Sequence, residues 1–139
     1  MNSLRPFHVL VCLVLVSLIA CSSEKREVNI LEKKFREQIE AINSFFKEYK
    51  DIPNVEQFTL TIAAPIKVSL NLKENSAITD TEVKMAKMQT PDRQEIVSVR
   101  MVWRRYQNGE GEIEYISPQE LNETLLMIKQ IEQFKKTRP

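Results

Sequence analysis

The sequence predicts an α+β fold of two layers, in which an N-terminal and a C-terminal helix pack on one face of a four-stranded antiparallel meander. Three observations predict it: an alternating hydrophobic pattern in the middle of the chain, helical patterns on either side of it, and short turn-rich connections. The predicted order of elements is α-β-β-β-β-α. Consecutive antiparallel strands joined by short turns form a meander, and its first strand lies at an edge.

The stretch 58–72 is the segment on which this prediction depends most. Its apolar residues occupy the even positions, and its odd positions are small or polar. Because successive side chains of a strand point to opposite faces, the pattern predicts one buried face and one wet face. The segment is longer than the usual strand of about five or six residues. We therefore expect a bend at Ala63-Ala64-Pro65, since proline cannot donate to a strand ladder and favours a bulge or an edge.

Amphipathic helices are predicted at both ends of the strand region. In the first, residues 27–50, apolar side chains recur at spacings of three and four, and Pro53 follows its end. A coiled-coil seam is the alternative interpretation of this stripe. The last helix opens at Ser117-Pro118-Gln119-Glu120, which has the form of a capping box. Its predicted buried stripe consists of Leu121, Leu125, Ile128, Ile131 and Phe134.

Three further strands are predicted between residues 76 and 116. Segment 76–89 admits two interpretations, because Val83-Lys84-Met85 alternates like a strand whereas Thr79 or Asp80 could cap a short helix. The turn sequence at 90–93 favours a strand, since a hairpin needs an incoming arm. Residues 95–106 and 112–116 form the next predicted hairpin, around Asn108-Gly109.

The first twenty residues have the form of a secretory signal. One cation, Arg5, precedes the run 7–20, which only His8 and Ser17 interrupt. This fourteen-residue run is shorter than the roughly twenty residues that a membrane-spanning helix needs. Two interpretations compete with the lipoprotein signal described next: an ordinary secretory signal, and a buried apolar segment followed by a chance cysteine.

The run ends in Leu18-Ile19-Ala20-Cys21, which resembles the lipobox of bacterial lipoproteins. The resemblance covers residues 1–21. It implies that the signal peptide 1–20 is removed and that Cys21 carries a diacylglycerol, often with a further acyl group such as palmitate on its amino terminus. Two or three acyl chains hold a small domain stably on a membrane.

The resemblance also implies a location. Ser22 follows the cysteine, where an aspartate would favour retention in the inner membrane. The expected location is thus the periplasmic face of the outer membrane, or the cell membrane in an organism without an outer membrane. The lipidated cysteine and a short polar tether would occupy 21–27, and a single α+β domain would occupy 28–139.

Composition excludes several kinds of chemistry. His8 and Cys12 lie in the signal segment and Cys21 is the expected lipid site, so the rest of the chain lacks the residues of a Cys/His pair, a Ser-His-Asp triad or a usual zinc site. Both glycines lie near the predicted hairpin turn, which argues against a phosphate-binding glycine loop. A serine–lysine dyad remains open on composition. We expect no enzyme activity, cofactor or metal, and the balanced charge argues against nucleic acid as a partner.

The remaining candidate site is the wet face of the predicted sheet. Arginine and tyrosine are enriched where proteins meet partners. We predict a partner-binding surface formed by Thr59, Thr61, Lys67, Arg100, Arg104 and Tyr106. An ordinary solvated sheet face is the alternative, and the edge at 58–72 could accept a strand from another chain unless Pro65 prevents it.

These expectations favour a non-enzymatic protein-binding lipoprotein, a pilot, adaptor or assembly factor of a bacterial envelope machine. The first alternative is a lipid or glycolipid carrier whose arginines, Arg100, Arg104 and Arg105, meet an anionic head group. A periplasmic immunity or inhibitor lipoprotein is a further alternative.

Overall fold

The structure is a computed structural model that describes residues 5–50, 52–53, 55–107 and 110–137, with side chains described from Cys21 onward except at 105–107. The predicted turn Asn108-Gly109 lies outside the described residues. The elements are helix α1 (Arg5–Glu48), strands β1 (Phe58–Ile62), β2 (Lys67–Asn71), β3 (Ser76–Lys87), β4 (Gln94–Gln107) and β5 (Glu110–Ser117), and helix α2 (Gln119–Thr137).

These elements form the predicted two-layer α+β fold. The strand order is β1-β3-β4-β5, with β2 beside β3, and every pair is antiparallel. Helix α1 lies mainly over β1 and β2, and α2 lies over β5. The meander is therefore confirmed, with its first strand divided into two.

The division falls at the predicted bend. β1 pairs with one end of β3 and β2 with the other end, so both occupy the same edge of the sheet. Between them, the Thr81 hydroxyl donates to the carbonyls of Ala64 (2.8 Å) and Pro65 (3.2 Å), and the Ala63 amide donates to the Glu82 carbonyl. A buried threonine on the neighbouring strand thus satisfies the backbone groups that the break releases.

Helix α1 closes part of the outer edge of β1. The Leu60 amide donates to Oδ1 of Asn43, and Nδ2 of Asn43 donates to the Leu60 carbonyl, both at 2.8 Å. In an antiparallel pair the two backbone groups of one residue point to the same side, so those of Leu60 point away from β3. Strand addition by another chain, one of the sequence-based alternatives, is therefore blocked at this position.

Residues 76–87 form the long strand β3, so the helical alternative for this segment is wrong. β3 pairs with β1 and β2 on one side and with β4 along almost its whole length on the other. The turn predicted at 90–93 lies between β3 and β4.

The core lies between the sheet and the helices. Its largest fully buried side chains include Trp103 of β4 and Phe35 and Phe46 of α1. The predicted alternation is confirmed along 58–70, where the even positions are buried or half-buried and the odd positions are exposed. Leu72 is an exception, because it lies beyond the end of β2 and is 59% exposed.

Helix α1 is longer than predicted. It begins at Arg5 instead of near Glu27, and the polar segment 22–27, expected to be an extended tether, is helical. No helix in the described part of the chain is both long enough and apolar enough to cross a membrane.

Helix α2 begins at Gln119, slightly later than predicted. Ile116, at the end of β5, is fully buried together with Leu121, the first residue of the predicted stripe. Phe134, the last residue of the predicted stripe, is 72% exposed, so that part of the prediction is wrong. The stripe ends at the half-buried Ile131 because the helix then extends past the covered part of the protein.

Candidate protein-binding face

The sheet face turned away from the helices carries five of the six predicted site residues. We call this surface the open face. Thr59, Thr61 and Lys67 reach it from the edge strands, Arg100 and Arg104 reach it from β4, and all five are exposed. The sixth, Tyr106, lies in β4, but its side chain is outside the described residues.

Strand register aligns apolar side chains across the open face. Ser69 of β2 pairs with Ile78 of β3, Ile78 pairs with Val102 of β4, and Val102 pairs with Tyr115 of β5. Ile78 is 39% exposed and Tyr115 is 44% exposed. We call Ile78, Val102 and Tyr115 the apolar row.

Sequence reasoning missed the apolar row. Ile78 lies in segment 76–89, whose local pattern admits two interpretations, and Tyr115 lies near the end of the predicted strand 112–116. Their alternation with polar residues was visible, but the register that places them side by side follows from pairings that the sequence does not specify.

Ion pairs lie on both sides of the apolar row. On one side, Nε and Nη2 of Arg100 donate to Oδ2 of Asp80 at 3.0 and 2.8 Å. On the other, Nε of Arg104 contacts Oε2 of Glu114. Exposed pairs of this kind stabilise a fold by only about 0–1 kcal/mol. Their effect on the surface is to hold two guanidinium groups in place beside the row.

The charges of the open face alternate in sign. Lys67 of β2 opposes Asp80 of β3, which opposes Arg100 of β4, and Arg104 opposes Glu112 of β5. Such a surface offers no field of a single sign to attract a polyanion from a distance. It is typical instead of the polar rim of a protein interface.

A shallow groove runs beside the apolar row. It is lined by Val102 and Arg104 of β4, Glu114 of β5, Ser76 at the start of β3, and Glu74 in the turn before it. It is open to solvent and has one apolar wall and charged rims. It can accept a side chain of a partner, and it does not enclose a small molecule.

The layer between the sheet and the helices is filled by side chains. Trp103 is 2% exposed, and its Nε1 donates to Oγ1 of Thr79 at 2.9 Å inside the core. Phe46 packs edge-on against Phe58 with ring centroids 4.7 Å apart. A lipid ligand would therefore have to lie in a surface groove.

Two lysines outside the open face have a raised pKa. Lys87 lies 2.7 Å from Glu56, and the hydrogen bond to that carboxylate, with its charge, raises the lysine pKa. Lys135 of α2 has its pKa raised by a hydrogen bond to Tyr49 and by the nearby Glu48 carboxylate. Lys87 is half-buried and Lys135 is exposed, and each of them joins two segments of the fold.

The described residues hold no group of three or more His, Cys, Asp or Glu side chains arranged to bind a metal ion. Ser-x-x-Lys spacings begin at Ser22 and Ser44, and both serines and their lysines, Lys25 and Lys47, are exposed on α1. A lysine that acts as a base loses its proton through burial or a neighbouring cation. Neither lysine is buried in this way.

The fold and the open face define a two-layer α+β protein with an uncovered sheet surface. No protein-family profile matches the chain, and neither a curated protein nor a solved structure is significantly similar to it. The case for its function therefore depends on the residues themselves.

Proposed function

We propose that this chain is a lipid-anchored, non-enzymatic protein-binding accessory of a bacterial envelope machine. Cys21 would carry the lipid, on the periplasmic face of the outer membrane or on the cell membrane where no outer membrane exists. The observation that carries the binding role is the apolar row, which crosses an uncovered sheet face between two arginine ion pairs.

The anchor is supported by the lipobox-like sequence and by the position of Cys21. Its thiol is exposed and forms no disulfide. Removal of residues 1–20 would leave a helix that begins at Cys21, with Glu24 in its first turn. A carboxylate there interacts favourably with the helix dipole. The processed chain would thus keep a stable helical start.

The binding role is supported by the layout of the open face. Interfaces concentrate their binding energy in a few central residues, in which tryptophan, tyrosine and arginine are enriched, surrounded by contacts that exclude water. Tyr115 and Ile78 would be the central residues, and the Asp80–Arg100 and Arg104–Glu114 pairs would form the rim. A protein of mixed surface charge fits this arrangement best.

Photo-crosslinking in living cells tests the proposal. A photoreactive amino acid is placed at Tyr115 in the full-length chain, and the matched control carries it at Lys33, on the outer surface of α1. We expect a discrete protein adduct from position 115 and none from position 33. Equal labelling of many proteins from both positions would contradict a specific open-face partner.

A second experiment tests which residues carry the binding. We expect the double variant Ile78→Asp, Tyr115→Glu to lose most co-purification of the crosslinked partner, because it places charges in the apolar row. The control Ser98→Asp adds a charge to the same face away from the row. Unchanged binding by the double variant, with native circular dichroism, would show that the row is not the contact.

Native mass spectrometry and the identity of the crosslinked adduct separate the alternatives. A carrier would retain a lipid in native mass spectrometry, whereas an adaptor would be empty; the filled layer between sheet and helices favours the adaptor. An immunity or inhibitor lipoprotein would use the same face, and its adduct would be a toxin or an enzyme instead of a machine component.

A further inference from the structure

A second apolar surface lies at the corner of the fold where α1 passes the end of β2. It is a groove open to solvent, lined on the sheet side by Val68, Leu70 and Leu72 and on the helix side by Cys21, Glu24, Lys25 and Val28. We call it the corner groove. Val68 and Leu70 are half-buried and Leu72 is 59% exposed, although all three continue the even, helix-side phase of the strand.

The corner groove exists because the helix covers the sheet incompletely. Among the described side chains of α1, from Cys21 onward, the first fully buried one is Leu31, and the end of β2 lies beyond this close-packed core. Leu72 then enters the turn at 72–75, past the last residue of β2. Val68, Leu70 and Leu72, which belong to the helix-covered face, are thus partly exposed to solvent next to Cys21, the expected lipid site.

Cys21 lies on the side of α1 that packs against the sheet. Seven residues make almost two turns of a helix, so side chains seven apart share a face. Cys21, Val28 and Phe35 follow this spacing, and Phe35 is fully buried against the sheet. The sulfur of Cys21 is therefore part of the wall of the groove.

Residues 21–27 hold this arrangement in place. They are helical and continuous with the packed part of α1, so a stiff segment joins Cys21 to the core. An extended tether would let the domain turn freely above its anchor. The helical segment 21–27 instead keeps the corner groove next to the lipidated cysteine.

We propose that the corner groove is a membrane-docking surface, and that a phospholipid bilayer covers it when the lipid on Cys21 is inserted. Leu72 would enter the boundary between head groups and acyl chains, with Val68 and Leu70 behind it. The cations Lys25, on the groove, and Lys73, next to Leu72, would meet lipid phosphates. This inference rests on the proposed lipidation of Cys21.

The occupant follows from this geometry. A lipid on Cys21 would insert into a bilayer and so hold that bilayer next to the corner groove. No other corner of the fold would lie as close to the bilayer. The exposed ends of lysine side chains suit the head-group layer, and their aliphatic stems suit the region below it. A docked corner would also fix the angle at which the open face meets its partner.

The test uses the full-length lipidated protein, purified and reconstituted in vesicles of phosphatidylethanolamine and phosphatidylglycerol. Leu72→Cys introduces a thiol for an environment-sensitive fluorophore, because a lipidated Cys21 does not react. Ile96→Cys is the matched control: it is 64% exposed, comparable to Leu72, but lies on the opposite face of the sheet. Intact mass shows whether Cys21 carries its lipid.

In these vesicles we expect the fluorophore at position 72 to emit at a shorter wavelength than the one at position 96 and to lose its fluorescence to quenchers attached to lipid chains. The fluorophore at position 96 should keep the emission of an aqueous environment and stay unquenched. A lipidated, vesicle-bound protein whose position 72 stays in water, or behaves like position 96, overturns the docking surface and leaves the proposed function intact. A chain whose mass shows no lipid overturns the anchor and the docking surface together.

Discussion

Thr79 and Trp103 form a buried polar contact that helps to define the core. Both side chains are at most 2% exposed, and the indole N–H donates to the threonine hydroxyl. A buried indole N–H without a partner retains its full desolvation penalty. The contact therefore fixes the orientation of the largest side chain in the core relative to β3.

Replacing Thr79 with valine keeps the shape of the side chain and removes the acceptor. We expect the free energy of unfolding to fall by about 1–3 kcal/mol, because the indole N–H is left buried without a partner. Urea denaturation measures the change. Thr59→Val, on the exposed side of β1, is the control, and we expect it to lie within about 0.5 kcal/mol of the original protein. Equal effects of the two changes would contradict the role of the buried bond.

Much of the burial of single residues could be predicted from alternation. Along 58–70 the alternation gave the buried and exposed positions correctly. Leu72 and Phe134 were expected to be buried and are exposed. Alternation and helical spacing specify which way a side chain points, but not how far the covering layer extends.

At the scale of elements, α1 protects the divided edge of the sheet. The break at 63–66 makes two short strands, and Asn43 occupies both backbone groups of Leu60. Short strands and covered backbone groups both reduce pairing with other chains. The helix therefore contributes polar contacts as well as its apolar stripe.

The variant Asn43→Ala tests this protection. We expect it to lower the free energy of unfolding by about 1–3 kcal/mol, since two backbone groups of a buried strand lose their partner. Exposure of the edge should also make the protein associate with rising concentration, which sedimentation velocity measures. Ser44→Ala, at the next and exposed position of α1, is the control. If Asn43→Ala is as stable and as monomeric as Ser44→Ala, the contact of Asn43 does not protect the edge of β1.

The ends of elements were predictable where a residue with a restricted backbone, such as proline, marked them. The bend at Pro65 and the start of α2 were located within a few residues because proline has few options. Segment 76–89 was ambiguous, because its local pattern fits two structures and its pairing with three other strands decides between them. The long α1 was missed because the polar residues 22–27 carry no apolar stripe.

At the scale of the whole molecule, Lys135 joins the two helices. Its Nζ lies 3.4 Å from Oε1 of Glu48 and 5.6 Å from the centroid of the Tyr49 ring. These contacts link the last turns of α2 to the end of α1, at the place where the two helices leave the sheet. They are exposed, so we expect them to be sensitive to salt.

The Lys135 contact should make stability depend on pH. Tyr49 and Glu48 raise the lysine pKa above its ordinary value of 10.5 in the folded state. A raised pKa stabilises the fold below the ordinary value, and this contribution is lost as the pH rises through the raised value. The stability difference between the original protein and Lys135→Met should therefore be constant below about pH 9 and shrink above about pH 10.5.

Urea denaturation of both proteins across this range measures the difference. Lys129→Met, an exposed change on the same helix, is the control. A difference that stays constant through the alkaline range would contradict the contribution of the Lys135 charge.

The architecture of the whole molecule was predictable from the order of its elements, because short connections leave few topologies for an antiparallel sheet. The open face was predicted as well, from the odd positions of 58–72 and the arginines of β4. The apolar row and the corner groove were not, since both depend on which residues meet across strands and on where a helix stops covering a sheet.

The order of α1 and the strands along the chain has a consequence for synthesis. Its apolar stripe, from Leu31 to Phe46, emerges before any of the strands that will cover it. The hairpins formed by β3, β4 and β5 are local and can close among themselves, whereas the stripe must wait for β1 and β2 to join them. The nascent chain therefore exposes this stripe until the strands that cover it have been made, and we expect it to need a holding chaperone over that interval.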